Sequence, residues 1–369
     1  MERFAACFEG LKDPREANAR HDLPEILIVA FATLLCGGED CSDMALFGQS
    51  KEAFFRQFLR LKHGIPSHDT FSRIFRLLDP AAFQACFGRF MDRFAEAAQG
   101  TVAIDGKTLR GSFDRASGQS ALHLVSAWAT DTGLMLAQVA TNAKSNEITA
   151  VPELLAMLTL KGTIVTGDAM NCQRAISRQI VDRGGDYVLA LKGNQPALHD
   201  DVRLFLDDPA LDDADTGTAV DGGNGRIDTR TATVSKDVAW LNHSHSWPGL
   251  ACIGKIHRVR ERAGERTEHT AYFVLSKIVS ARRLNQIVRG HWGIENSFHW
   301  VLDVTMNEDW TRNRKDHGPR NIALLRRWAL NAHRIEASKG SVKGKLKRAG
   351  WDDQFLRQVL ARAGWGQMR

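Results

Sequence analysis

The sequence predicts an α/β protein: a sheet-and-helix core that follows an N-terminal helical domain, carries a β-rich insertion and ends in a basic helical tail. Three observations point there. Residues 1–98 space their apolar positions as helices do. From Thr101 the period becomes that of strands, which then alternate with helices. The charge also changes twice, turning acidic near Asp200 and basic after Arg312.

In the first segment, Leu23, Ile26, Leu27, Ala30, Phe31 and Leu34 form one cluster and Phe54, Phe55, Phe58 and Leu59 another. Pro66-Ser67-His68-Asp69 opens a further helix, with Ser67 as the cap, Asp69 at the positive end and Phe71, Ile74, Phe75 and Leu78 as its buried stripe. The Gln99-Gly100 break ends this bundle. Thr101–Ile104, Leu122–Ala129 and Leu134–Val139 then read as an antiparallel meander turning at Asp131-Thr132-Gly133. A helix Ile148–Leu160, a strand Thr163–Thr166, a helix Cys172–Arg183 and a strand Tyr187–Leu191 follow. The last two strands lack polar alternation, which marks them as buried and parallel. Three antiparallel strands and then helix, strand, helix, strand is the order of the ribonuclease H-like fold.

The insertion spans about 196–281. It begins with an acidic stretch from Asp200 to Asp215, extended as a loop by Gly217 to Gly225, and continues with strands around Ile227–Thr233, Gly249–Val259 and His269–Leu275. A long helix begins near Ala281. The expected divisions are therefore 1–98, a core over 99–335, and a tail over 336–369.

At 369 residues the chain can bury two or three cores, and 43% hydrophobic and 25% charged residues are ordinary for a soluble globular protein. The net charge of +6 is concentrated at the end: from Arg312 to Arg369, fifteen lysines and arginines face four carboxylates. Such a tail suits a polyanion, nucleic acid above all. The six cysteines form no ligand-like array, and reduced thiols in a cytoplasmic protein are expected. The longest apolar run, Ile26–Cys36, has 11 residues and reads as a core helix, so no membrane is implied. The Gly222-Gly223-Asn224-Gly225 turn lacks the ending of a phosphate loop, so no nucleotide cofactor is expected.

Phosphodiester chemistry with two metal ions needs acidic side chains that converge from separate elements, the ions lying about 3.5–4 Å apart. Asp105 follows the apolar start of the first strand and Asp168 follows the fourth, and in the expected fold these strands are neighbours. Glu295 completes the set from the long helix, in a stripe Leu284, Val288, His291, Glu295, His299 and Leu302. Gly290 and Gly293 weaken that helix, for close approach to DNA or the sheet or for a local kink. Zinc is disfavoured: His291 and His299 are about 12 Å apart along a helix axis, so one ion cannot take both.

At these residues a family becomes recognisable. Ala103-Ile104-Asp105-Gly106-Lys107-Thr108-Leu109-Arg110-Gly111-Ser112, Thr166-Gly167-Asp168-Ala169-Met170, Tyr187-Val188-Leu189-Ala190-Leu191-Lys192-Gly193-Asn194-Gln195 and His291-Trp292-Gly293-Ile294-Glu295-Asn296 closely resemble insertion-sequence transposases of the ISAs group, which includes the H-repeat-associated proteins. The resemblance extends from Gly64-Ile65-Pro66-Ser67-His68-Asp69-Thr70-Phe71 to Trp300-Val301-Leu302-Asp303-Val304. It implies a DDE enzyme of the ribonuclease H-like superfamily, with Asp105, Asp168 and Glu295 holding two Mg²⁺ ions, Mn²⁺ as substitute. It also implies the β insertion before the Glu-bearing helix. Related transposases often place Tyr, Arg and Lys around this Glu, where the present chain has Val288, His291 and Leu302, so that signature does not carry over.

The expected reaction is cleavage at element ends followed by attack of the released 3′-hydroxyl on target DNA, with terminal inverted repeats and target DNA as partners and a homodimer in the synaptic complex. Lys107, Arg110 and Lys192 are expected to hold phosphates, with Arg289, His291 and His299 as further DNA contacts. Of the tryptophans around the Glu helix, Trp300 is expected to pack in the core, while Trp310 is a candidate to stack on a base. Two other readings stand beside this one: a nuclease that cuts without joining, and an insertion-element relic that binds DNA without cutting.

Overall fold

The computed structural model describes residues 7–16, 19–94, 100–114, 118, 120–141, 147–223 and 225–365. Gln99, Asn224 and Arg369, each part of an expectation above, lie outside the described residues. Among the described residues nine strands form one sheet: β1 (Thr101–Thr108), β2 (His123–Ala129), β3 (Leu134–Thr141), β4 (Ile164–Gly167), β5 (Asp186–Leu191), β6 (Asp215–Gly223), β7 (Arg226–Ser235), β8 (Cys252–Arg262) and β9 (Glu265–Leu275), in the order β3-β2-β1-β4-β5-β9-β8-β7-β6. The first helices are α1 (Leu23–Leu35), α2 (Cys41–Ser50), α3 (Glu52–Phe55), α4 (His68–Leu77) and α5 (Pro80–Met91). Then come α6 (Glu147–Ala156), α7 (Arg174–Asp182), α8 (Pro196–Leu206), α9 (Ala239–His245), α10 (Ala281–His291), α11 (Gly318–Ile335), α12 (Val342–Trp351) and α13 (Asp353–Leu360).

The meander β1-β2-β3 is antiparallel, and β4 and β5 join it in parallel, as the loss of polar alternation predicted. Gly133, at φ +70, supplies the left-handed residue of the β2–β3 turn. One face of this part carries α6 and α7, which bury Val151, Leu154, Ile176 and Ile180 against Ile104, Val125 and Val165. The other face meets a core shared by the first helices and the tail helices. Trp328 of α11 sits at its centre, its ring 5.2–6.2 Å from those of Phe8, Phe31, Phe83, Phe87 and Phe90. Asp40 and Asp79 cap α2 and α5, accepting from Ser42 and Ala82 amides at 2.8 and 2.6 Å. Ser67 does stand at the start of α4, but its hydroxyl meets that of Thr70 at 3.3 Å and caps no backbone amide.

The insertion continues the same sheet. β9 pairs antiparallel with β5, Val188 opposite Leu275, and β8, β7 and β6 add outward from it. Two expectations are corrected here. Part of the acidic stretch is the helix α8, amphipathic through buried Leu198, Val202 and Leu206, and Gly217–Gly223 is strand, not loop. β6 passes beside the start of α10: a Cβ at Gly217 would sit 3.5 Å from that of Ala281, an ordinary contact. No described helix is long and apolar enough to cross a membrane.

Candidate active site

β1 and β4 pair through Ala103 and Thr166, and each strand places an aspartate two residues beyond that pair, Asp105 and Asp168. The two carboxylates thus stand in register just beyond the end of the parallel β1–β4 pairing, on the side where open sheets of this kind form their crevices. β1 keeps pairing with β2 beyond Ala103, Asp105 opposite Ser126, so its aspartate is held within a strand. Asp168 is fixed differently: its Oδ1 accepts from the backbone and side-chain amides of Asn171, at 3.2 and 2.9 Å.

The third carboxylate arrives on a helix wound wider than predicted. After α10, Ile294–His299 and Val301–Thr305 are π-helical turns. In them Trp300 N–H donates to Glu295 O and Met306 N–H to Val301 O. Buried Ile294, Phe298, Leu302 and Met306 follow steps of four. An α-helix would rotate such a row by about 40° per step, and the wider π-helical turns counter that drift. The polar row beside it is His291, Glu295, His299 and Asp303. His291 Nδ1 lies 2.9 Å from the Thr166 hydroxyl, His299 Nδ1 lies 3.6 Å from Asp105 Oδ2, and Asp303 Oδ1 lies 2.7 Å from Lys107 Nζ. Gly290 allows the close approach: a Cβ would stand 3.4 Å from Thr130 in the β2–β3 turn.

Electrostatics bind these positions together. Burial pushes the Asp105 carboxyl up to about 7, and Glu147, Glu295 and Asp168 push the same way against the Gly106 amide. Asp168 is raised by burial and Glu147, opposed by Asn171 and Lys192. His291 and His299 are held neutral, down to about 4 and about 3, by burial first; Arg327 and Lys107 add to it at His299. Glu295 itself is exposed.

The remaining predicted residues divide. Arg110 and Lys192 are exposed, and so is Trp310, at 80%. Arg289 is exposed and ion-paired with Asp221 of β6. Lys107 is 6% exposed, with its ammonium 2.7, 3.1 and 3.7 Å from Asp303, Asp309 and Glu308. The strand that presents Asp105 turns Lys107 into a carboxylate pocket rather than onto the surface. His291, tucked on β4, and the largely buried His299 are likewise committed to the protein rather than to a surface. Trp300, expected in the core, is 55% exposed, because the π-helical turns carry Trp292, Trp300 and Val304 on the outer side.

Two carboxylates escape the sequence reading. Glu147, the first residue of α6, accepts from His123 Nε2 at 2.8 Å beside Gly106. Glu308, fully buried, pairs with Arg327 through contacts of 2.5 and 3.2 Å. Burial raises its carboxyl, but Arg327, Arg326 and Lys107 together hold it below the ordinary value. The carboxylates nearest Asp105 repel it and one another, which suits a hard divalent cation. Among the described residues, no three His, Cys, Asp or Glu side chains already converge on one ion position.

The family described as "Transposase DDE domain" matches residues 96–332. The chain belongs to the DDE transposase family. The family described as "DDE_Tnp_1-associated" matches residues 5–91, so the helical segment before the sheet also has family counterparts. An "H repeat-associated putative transposase YhhI" of Escherichia coli is 34% identical over 357 residues, 94% of this chain and 94% of that protein. An "Uncharacterized protein in dhlA 3'region" of Xanthobacter autotrophicus is 46% identical over 277 residues, 73% of this chain and 92% of that protein. A solved synaptic complex of piggyBac transposase with hairpin DNA aligns at 13% identity and a TM-score of 0.42, over 96% of this chain and 77% of that one, too slight a likeness to carry weight.

Proposed function

We propose that this DDE-family chain is an active DNA transposase with a ribonuclease H-like core, which cleaves DNA at element ends and joins the freed 3′-hydroxyl to target DNA. The observation that carries the reading is the matched placement of Asp105 and Asp168, two residues beyond the Ala103–Thr166 pair of adjacent parallel strands, with Glu295 close enough to raise Asp105. We assign residues 1–98 to a helical domain, 99–335 to the core with its insertion at about 196–281, and 336–369 to the tail; the two family matches meet between residues 91 and 96, in support of the first division.

Asp105, Asp168 and Glu295 would hold two Mg²⁺ ions, which supply Lewis-acid stabilisation of the phosphate and a more acidic water. The protein does the rest. Asn171 fixes the rotamer of Asp168. Neutral His299 packs against Asp105 without adding a positive charge that would compete with a cation. Exposed Arg110, Lys192 and Arg289 track the backbone phosphates, Arg289 by exchanging Asp221 for DNA. Trp310 offers its face to an unpaired base. Joining two ends calls for a homodimer in the synaptic complex.

The test is a cleavage and joining assay with linear element ends and a plasmid target in Mg²⁺. The intact chain yields joined product, and Asp105→Ala yields neither cut nor joined DNA while retaining DNA binding. Cleavage with no joined product makes the chain a nuclease instead. Unaffected cleavage by Asp105→Ala removes the site assignment.

A further inference from the structure

We propose that Arg334 is a positioning residue for Glu295: laid on the Trp128 ring and bridging the Gly133 and Ser297 carbonyls, its guanidinium sets the widened helix against the strand that carries Asp105. The inference rests on the proposed triad.

Asp105 and Asp168 take their places from the sheet, whereas Glu295 is exposed on a π-helical turn and takes its place from the backbone beneath it. Such turns are rare and gather at functional sites. Arg334, in the last turn of α11, reaches that backbone directly. Its Nη2 donates to Ser297 O, two residues past Glu295, and its Nη1 donates to Gly133 O in the β2–β3 turn. A guanidinium is a rigid planar fork, so two carbonyls on its two arms are held at a fixed separation.

The second hold is aromatic. Arg334 Cζ lies 4.2 Å from the centre of the Trp128 ring, which stacks on Phe298 with centroids 4.9 Å apart. Trp128 also meets Gly293 at its Nε1 edge, where a Cβ would stand 3.9 Å away. Gly293, Ser297 and Phe298 bracket Glu295 in the chain, and each is met by Arg334 or Trp128. On the sheet side, Trp128 pairs with Ala103, two residues before Asp105 on β1, and so stands on the face that carries that carboxylate. One stacked pair therefore links the turn of Glu295 to the strand of Asp105. Burial pushes the Arg334 guanidinium down to about 9, with no carboxylate opposing the shift. Were packing its whole task, an apolar side chain would fill the place with less penalty.

A purely structural Arg334 would fasten the end of α11 to the β2–β3 turn and no more. Arg334→Met keeps the length and the contact with Trp128 but removes both donors. Mn²⁺ binding to the full chain without DNA is measured by titration calorimetry for the native chain, Arg334→Met, Glu295→Gln and the double variant, with metal-free melting temperatures to confirm folding. The inference predicts about tenfold weaker binding for Arg334→Met, and no further loss when Arg334→Met is added to Glu295→Gln, because Arg334 acts through that carboxylate. Trp128→Phe, which draws the ring back from Arg334 and Gly293, should show the same dependence on Glu295, and it replaces Arg334→Met should that chain not fold. Native affinity in Arg334→Met, or an equal loss with and without the Glu295 carboxylate, overturns the inference. Native affinity in Glu295→Gln shows instead that the triad reading has failed, and the inference falls with it.

Discussion

The two halves of the nine-stranded sheet handle charge in opposite ways. In β1–β5, Asp105 and Asp168 stand side by side with carboxyls raised by burial, and the compensating cations Lys107, Arg326 and Arg327 are gathered about Glu308. In the insertion, each buried charge is answered on the spot. Asp228 of β7 is 2% exposed and meets Arg260 at 2.7 and 3.1 Å, with Arg230 and Arg226 at 3.4 Å. Its carboxyl is lowered, chiefly by the Arg260 hydrogen bonds. The outer strands are neutralised scaffold, and the inner strands are left with negative charge for a ligand to answer.

The comparison can be broken at several points. Arg327→Ala should have the largest effect. It strands buried Glu308 without its bidentate partner, at a cost of about 3–5 kcal/mol in urea unfolding. A loss under about 1 kcal/mol would mean that the inner network is not the support described. Next comes acid sensitivity. His333 of α11 is fully buried, donates to Leu35 O, and is pushed down to about 4 by burial. Below its ordinary value near 6.5 the unfolded chain takes up a proton that the folded chain refuses. Stability should therefore fall as pH drops from about 6.5 to about 4, and the slope should flatten in His333→Gln; an unchanged slope refutes the assignment.

Gly106→Ala should cost about 1–3 kcal/mol, because the new methyl must displace Glu147 and His123. Native stability in urea unfolding would remove the close approach. The smallest effect belongs to the outer strands. Ile227→Thr, at a position 48% exposed opposite Gly222, should stay within about 0.5 kcal/mol. A larger loss would show that the arm's exposed face is structural.

The inner half is legible because its strands are short and apolar and alternate with helices, an order that puts Asp105 and Asp168 on neighbouring strands. Other features followed different rules. Gly217–Gly223 reads as loop because glycine disfavours strands, yet β7 pairs with β6 along its whole length and holds it extended. The wide turns after α10 were hidden by reading His291, Glu295 and His299 at ordinary helical spacing. The strict four-residue rhythm of Ile294, Phe298, Leu302 and Met306 was the available signal. Glu147 was passed over because an acid in the first turn of a helix reads as a partner of the helix dipole. Only the fold brings His123 to it. Lys107 was misjudged because sequence proximity to Asp105 does not reveal that the pocket of Asp303, Glu308 and Asp309 lies two residues along β1.

The central claim is that Asp105, Asp168 and Glu295, from two strands and a widened helix, surround one metal site. Fe²⁺ placed there in the full chain, with ascorbate and peroxide, generates hydroxyl radicals that cut the nearby backbone. The account predicts metal-dependent cuts near residues 105, 168 and 295, suppressed by excess Mg²⁺. Cuts confined to other segments, or cutting near only one of the three, would contradict it.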